Sequence, residues 1–376
     1  MRRSVTTLDN IDRIPAPDPD DLDHRFVRTG TPVVLTGLFS RAAVRRFADP
    51  QIARAELGHL PLPATPEPVD EAVHGRDTPP RTMAFAELYD ELTAAAARAA
   101  HPGQPGPGTR PRRVCVEHDT PPPLAAAMPP PYLGLGMPQD PWISYMFLAG
   151  PGNVTHLHYD RDLRNVVMVQ VFGHKRYVLI DAAETRKLVP GASPDAPYAS
   201  GLYLQHFSPA ELGSFLRYTN AWDCVLGPGE ALLIPATTWH YVEYLDVALS
   251  VSFRLRRNPY LERLAASVPR PSVELQALAT CFRDDRAVTP AARDAFDALV
   301  AAAQGGPGGG DRTARLDRLC LELCRRLGLP IAAPPYDVTD RARRDEIADA
   351  ARTVAPTRPP ARRRGGSGRA VSSGWW

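Results

Sequence analysis

Apolar and polar residues alternate in short bursts through the middle of the chain and in helical steps on either side of it. Brief apolar stretches, many rich in β-branched residues and punctuated by Gly or Pro, fall at 114–117, 142–148, 156–160, 166–171, 177–180, 231–234 and 248–253. Short strands with turn residues between them and no long intervening helix predict an antiparallel barrel or a double-sheet jelly roll. Upstream, residues 31–38 read as a buried strand closed by Gly37, and Phe85, Leu88, Tyr89 and Leu92 keep the spacing of one helix face. Downstream, residues 271–282, a Thr289 cap ahead of Pro290, and the stripe Leu316, Leu319, Cys320, Leu323 and Leu327 describe helices.

The expected organisation has four parts. Residues 1–113 supply a lead-in strand and helices that pack on the core, 114–256 the β core, 257–354 a helical region, and 355–376 a disordered tail rich in Arg, Pro, Gly and Ser. Residues 101–109, dense in Pro and Gly, are expected as a surface loop, and 305–310 as a flexible linker. The irregular span 181–220 reads as a long insertion, and such insertions usually border a site. The C-terminal helices offer a surface through which a homodimer could form.

Composition narrows the picture. The 376 residues carry 44 basic and 42 acidic side chains for a net charge of +2, so no global field favours nucleic acid or an acidic membrane surface. No apolar run is long enough to span a bilayer, the N-terminus lacks the apolar block of a secretory leader, and a cytoplasmic location is expected. Five cysteines without C-x-x-C spacing argue against a disulfide framework or a structural zinc site.

The candidate chemistry sits in Gly152-Asn153-Val154-Thr155-His156-Leu157-His158-Tyr159-Asp160 and in a later Gly227-Pro228-Gly229 turn that leads through an apolar run to Pro235, Trp239 and His240. Residues two apart in a strand share a face, so His158 and Asp160 can offer an imidazole and a carboxylate to one ion, and a later strand can add His240. Two imidazoles and one carboxylate leave coordination positions open on ferrous iron, which points to oxygenation. His156 falls on the same side of a regular strand. A His-x-His pair followed by an acid is a second metal pattern, though His156 is expected to neighbour the site and not to ligate.

These segments, with Gly173-His174-Lys175-Arg176, resemble the JmjC, cupin-like family of iron(II) and 2-oxoglutarate-dependent oxygenases over about residues 30–255. The resemblance implies a mainly β fold, a double-stranded β-helix of the jelly-roll, cupin-like type, flanked by N-terminal helices and a C-terminal helical region. It implies His158, Asp160 and His240 as iron(II) ligands and 2-oxoglutarate as co-substrate. Lys175 would meet the distal carboxylate of 2-oxoglutarate, Thr155 would add a hydroxyl, and Asn165 would line the pocket. The interval from Asp160 to Lys175 is longer than the family pattern, and the strand at 114–116 lacks the usual co-substrate tyrosine. Tyr145 is the candidate to replace it, and Ser252 stands where a late-strand asparagine is usual.

The implied reaction is hydroxylation of an unactivated C–H bond, first on a peptide or protein side chain. A small molecule of specialised metabolism is the alternative, and a non-catalytic cupin-like binding protein the reading from another class. Histone demethylation is not the expected activity.

Overall fold

The computed structural model describes residues 8–39, 46–64, 81–100, 115–132, 144–188, 198–255, 257–268, 272–304 and 310–329. The expected loop at 101–109, the linker between 305 and 309, and the tail at 355–376 lie outside them. In chain order the strands are β1 (Arg13–Pro15), β2 (Val33–Thr36), β3 (Pro61–Ala64), β4 (Arg81–Ala84), β5 (Cys115–Asp119), β6 (Ser144–Ala149) and β7 (Val154–His158). They continue with β8 (Val166–Phe172), β9 (Lys175–Ile180), β10 (Trp222–Leu226), β11 (Glu230–Ile234), β12 (Trp239–Tyr244) and β13 (Ala248–Arg254).

Two sheets face each other. The larger runs β1-β2-β11-β8-β13-β6-β5 and the smaller β10-β9-β12-β7, with a separate β3-β4 hairpin. Apart from the parallel β1–β2 pair, all pairings are antiparallel. The jelly roll expected from the alternation is present. Its N-terminal boundary differs from the expectation, because β1 and β2 are strands of the large sheet itself. β2 pairs with β11, a partner far along the chain, which no local pattern reveals.

Alternation along the strands sorts the layers. Met146, Leu148, Val167, Val169, Val171, Leu233, Leu249, Val251 and Phe253 leave the large sheet on one side and pack with Leu22, Phe26, Phe47, Leu57, Phe85, Leu88 and Leu92 of the N-terminal segments. The helix expected from the spacing of Phe85, Leu88, Tyr89 and Leu92 begins at Phe85 and runs to Ala100, and the preceding Arg81–Ala84 pair as β4. Between the sheets, Val34, Val166, Leu232 and Ile234 meet Tyr177, Leu179, Cys224, Leu226 and Val242, so one end of the interior is apolar.

The outer face of the small sheet is covered by residues 181–188 and 198–220 of the expected insertion. That span contains short 3-10 turns and the helix Pro209–Tyr218, capped by Ser208 and Glu211. Beyond β13, helices Pro259–Ser267, Val273–Cys281, Pro290–Gln304 and Gly310–Arg326 share a core around Phe282 and Phe296. That core includes Leu163 and Ala236 from loops of the β region, so the helical part is fastened to it. None of the described helices is long and apolar enough to cross a membrane.

Candidate metal centre

β12 and β7 lie at one edge of the small sheet with His240 directly opposite His158. Opposed residues of an antiparallel pair share a face, and the two imidazole centroids are 4.2 Å apart. β7 was expected to reach Asp160 but ends at His158. Asp160 follows it outside the strand and turns Oδ1 to 3.7 Å from His158 Nε2 and 3.9 Å from His240 Nε2. The three donor atoms lie within 4.8 Å of one another, and no other such group occurs among the described residues.

Hydrogen bonds prepare these donors. His158 Nδ1 is 2.7 Å from the His156 carbonyl, and His240 Nδ1 is 3.2 Å from the Thr238 carbonyl. A nitrogen beside a carbonyl oxygen must donate, so each neutral ring keeps its lone pair on Nε2, the atom that faces Asp160. Burial, and then the neighbouring His158, push the His240 imidazole down to about 4, which keeps it neutral near pH 7. Burial acts to raise the Asp160 carboxyl, yet Arg254 and the two imidazoles hold it well below the usual carboxylate range. Arg254 Nη1 bonds Asp160 Oδ2 and lies 3.6 Å from Asp162, so one carboxylate oxygen is anchored while the other faces the rings. Two imidazole nitrogens and a carboxylate at this spacing fit ferrous iron with positions left open.

His156 leaves this set. The β12–β7 register slips after His240, so that Val242, which faces the interior, opposes Thr155. A bulge of this kind reverses the alternation beyond it. His156 Nε2 instead sits 2.6 Å from the Ser200 carbonyl, and its ring packs 4.7 Å from Tyr203. The regular-strand reading that aligned His156 with His158 and Asp160 is corrected on this point.

On the same inward face, beyond Tyr177 and Val242, a second polar group lies apart from the metal cluster. Lys175 opens β9 opposite Tyr244, four residues along β12 from His240 and so about 13 Å of strand away. It is 1% exposed, its Nζ donates to the Tyr244 hydroxyl at 2.9 Å, and the same ammonium lies over the rings of Tyr244 at 4.1 Å and Phe147 at 5.5 Å. A buried ammonium held against two aromatic faces is suited to an anionic ligand. Tyr145 is opposite Ser252, and its ring lies 5.9 Å from the Arg254 guanidinium. Asn165 makes two backbone contacts. Its Oδ1 accepts the Ala236 N–H at 2.8 Å and its carbonyl accepts Leu255 N–H, which braces the turn before β12.

Sequence reasoning missed Arg254 and Tyr244. Arg254 had a readable signal, since it continues the inward series Ser250, Ser252 along β13. Tyr244 stands four residues beyond His240 on the same strand face, a position that alternation marks once β12 is recognised.

A jelly roll with two imidazoles and a carboxylate at one end of its interior is the frame of a metal-dependent cupin. A family model described as the cupin-like domain matches residues 19–254. The chain belongs to this JmjC-type, cupin-like family of iron(II) and 2-oxoglutarate-dependent oxygenases. It is 35% identical over 127 residues to a Xenopus tropicalis protein named lysine-specific demethylase 8, covering 33% of this chain and 28% of that protein. Drosophila melanogaster Jumonji C domain-containing protein 5 is 31% identical over 107 residues, 28% of this chain and 26% of the relative. Arabidopsis thaliana lysine-specific demethylase JMJ30 is 34% identical over 105 residues, 28% and 24% respectively. The matched stretch thus spans less than a third of each relative's length.

Proposed function

We propose that this chain is an iron(II) and 2-oxoglutarate-dependent oxygenase that hydroxylates a C–H bond on a protein or peptide side chain. The observation that carries the reading is the convergence of His158 Nε2, His240 Nε2 and Asp160 Oδ1 in an interior that also holds the buried ammonium of Lys175. His158, Asp160 and His240 would hold the iron, which with 2-oxoglutarate and dioxygen supplies the oxidising power for attack on an unactivated C–H bond.

The side chains supply the rest. The His156 and Thr238 carbonyls fix the two imidazole tautomers. Arg254 holds Asp160 ionised and oriented. Lys175, steadied by Tyr244, takes the distal carboxylate of 2-oxoglutarate, with the Thr155 hydroxyl on the same inner face. Tyr145 and Ser252 line the opposite wall. Relatives named lysine-specific demethylases support a protein substrate and bring an N-methyl group into the range of C–H bonds to be tested. A small molecule remains the second substrate class, and a binding protein without turnover the third reading.

Succinate formation separates them. Iron-loaded protein is expected to convert 2-oxoglutarate to succinate, and Asp160→Ala to lose more than the roughly 10–100-fold typical of an outer partner. Equal, background-level succinate from both would end the oxygenase reading. Mass spectrometry of peptide pools, including methylated ones, then reads a +16 or −14 Da change and assigns the substrate class.

A further inference from the structure

The turn that delivers His240 is strained. Thr237 adopts φ +71°, a left-handed conformation that a β-branched residue avoids. Such a backbone is energetically unfavourable and persists only where its surroundings over-determine it. Here the surroundings come from beyond β13. Arg283 Nη2 donates to Thr237 Oγ1 at 2.6 Å and to the Ala236 carbonyl at 3.1 Å. Gln276 Nε2 donates to the Thr237 carbonyl at 2.6 Å, and the Thr280 hydroxyl lies 3.2 Å from that of Thr237.

Arg283 reaches this turn through a gap left by a glycine. A Cβ on Gly30, itself at φ +70°, would stand 1.4 Å from Arg283 Nη1 and 2.4 Å from Cζ. Arg28 secures the two segments by bonding Asp284 at 2.8 Å and Asp285 at 2.6 Å, while Asn258 Nδ2 holds the Arg283 carbonyl at 2.9 Å. Arg283 is 7% exposed. Burying a guanidinium this deeply is costly, and its hydrogen bonds go to a carbonyl and a hydroxyl of the turn instead of to a carboxylate.

The path to the metal is short. Thr238, next after the strained residue, offers the carbonyl that orients His240 Nδ1. Trp239 Nε1 donates to Thr185 Oγ1 at 2.8 Å, and Thr185 donates to Gln276 at 3.0 Å. On the other arm Tyr159, between two ligands, donates its hydroxyl to the Ser272 carbonyl at 2.6 Å. Ser272, Gln276, Thr280 and Arg283 all lie beyond residue 254, where the family match ends.

We propose that Arg283, passing over Gly30 and assisted by Gln276, is the positioning residue that holds His240 in its metal-binding orientation, which makes the C-terminal helices part of the metal centre. The proposal rests on His240 being a ligand. Carbonyl or carboxylate partners behind a ligating histidine are worth about 10–100-fold in metal affinity, and a device that aims such a carbonyl acts through the same bond.

The test titrates metal-stripped full chain with Co(II), read by its visible d–d absorption, with urea unfolding in parallel. Arg283→Ala is expected to bind Co(II) about 10–100-fold more weakly, and millimolar guanidinium, far below denaturing levels, to restore much of the loss by filling the vacated channel. Arg263→Ala, on an exposed Asp297 pair of the same helical region, should titrate like the parent. A folded Arg283→Ala protein with parental affinity overturns the proposal, and so does a loss that Arg263→Ala reproduces. If Arg283→Ala does not fold, Gln276→Ala decides: weaker binding supports the brace and parental binding rejects it. His240→Ala separates the two levels. Should it bind Co(II) as the parent does, the ligand assignment itself fails. Should it lose binding while Arg283→Ala keeps it, only the brace fails.

Discussion

The two faces of the small sheet are built from alternate residues of the same strands and do opposite work. Leu157, Tyr159, Val178, Ile180, Trp239 and Tyr241 point outward into an apolar cluster with Leu188, Leu204, Phe207, Phe215 and Leu216. From the same strands His158, Lys175, His240 and Tyr244 point inward. On the outer face, burial of each large side chain contributes about 1.5–3 kcal/mol and geometry is tolerant within packing limits. On the inner face, polar atoms are dehydrated for the sake of position, which costs stability unless each finds a partner. Period-two alternation lets one strand carry both functions, so a residue's immediate neighbour is the proper control for it.

Three changes sharpen that contrast. The largest effect is expected on the outer face, where Trp239→Ala removes a fully buried ring that meets Tyr159 edge-to-face at 5.0 Å and bonds Thr185. It should destabilise the fold by about 3–5 kcal/mol in urea unfolding. A loss under 1 kcal/mol would mean that the outer cluster does not carry the sheet.

Lys175→Met on the inner face should leave stability level or slightly improved, because a buried charge is replaced by an apolar chain of similar length. Affinity for 2-oxoglutarate, read by calorimetry, should instead weaken by about 10–100-fold, the equivalent of one charge-assisted contact. Unchanged affinity would remove Lys175 from the pocket.

The smallest effect concerns the apolar end of the interior. Burial lifts the Cys224 thiol from its ordinary 9.0 to about 12. The folded state therefore keeps its proton where the unfolded chain has lost it. The contribution is intact below pH 9 and is lost as pH rises from 9 towards 12. Alkaline unfolding of Cys224→Ala should show a shallower pH slope in that window, and an identical slope would place the thiol in contact with water.

Much of this could be read from residue order. The strand succession predicted the jelly roll, the His158–Asp160 pair is local, and the Gly-Pro-Gly turn announced β11, whereas His240 sits on the next strand, β12, in the other sheet. Other features had no local signal. β10 (Trp222–Leu226) lacks clean alternation and was not expected as a strand. The β7 bulge that removes His156 depends on register with β12. Asn165 braces Ala236, a partner that only folding brings near.

Order along the chain, then, determined which faces are apolar and which side chains can bind a metal, because side-chain direction repeats every two residues in a strand. Tertiary structure decided which of the histidines point together, which arginine anchors Asp160, and which helix steadies the turn before His240. Those choices depend on strand register and on contacts between residues that are far apart in sequence, such as Gly30 with Arg283 and Asp160 with Arg254. Such contacts leave no periodic trace in either partner's neighbourhood.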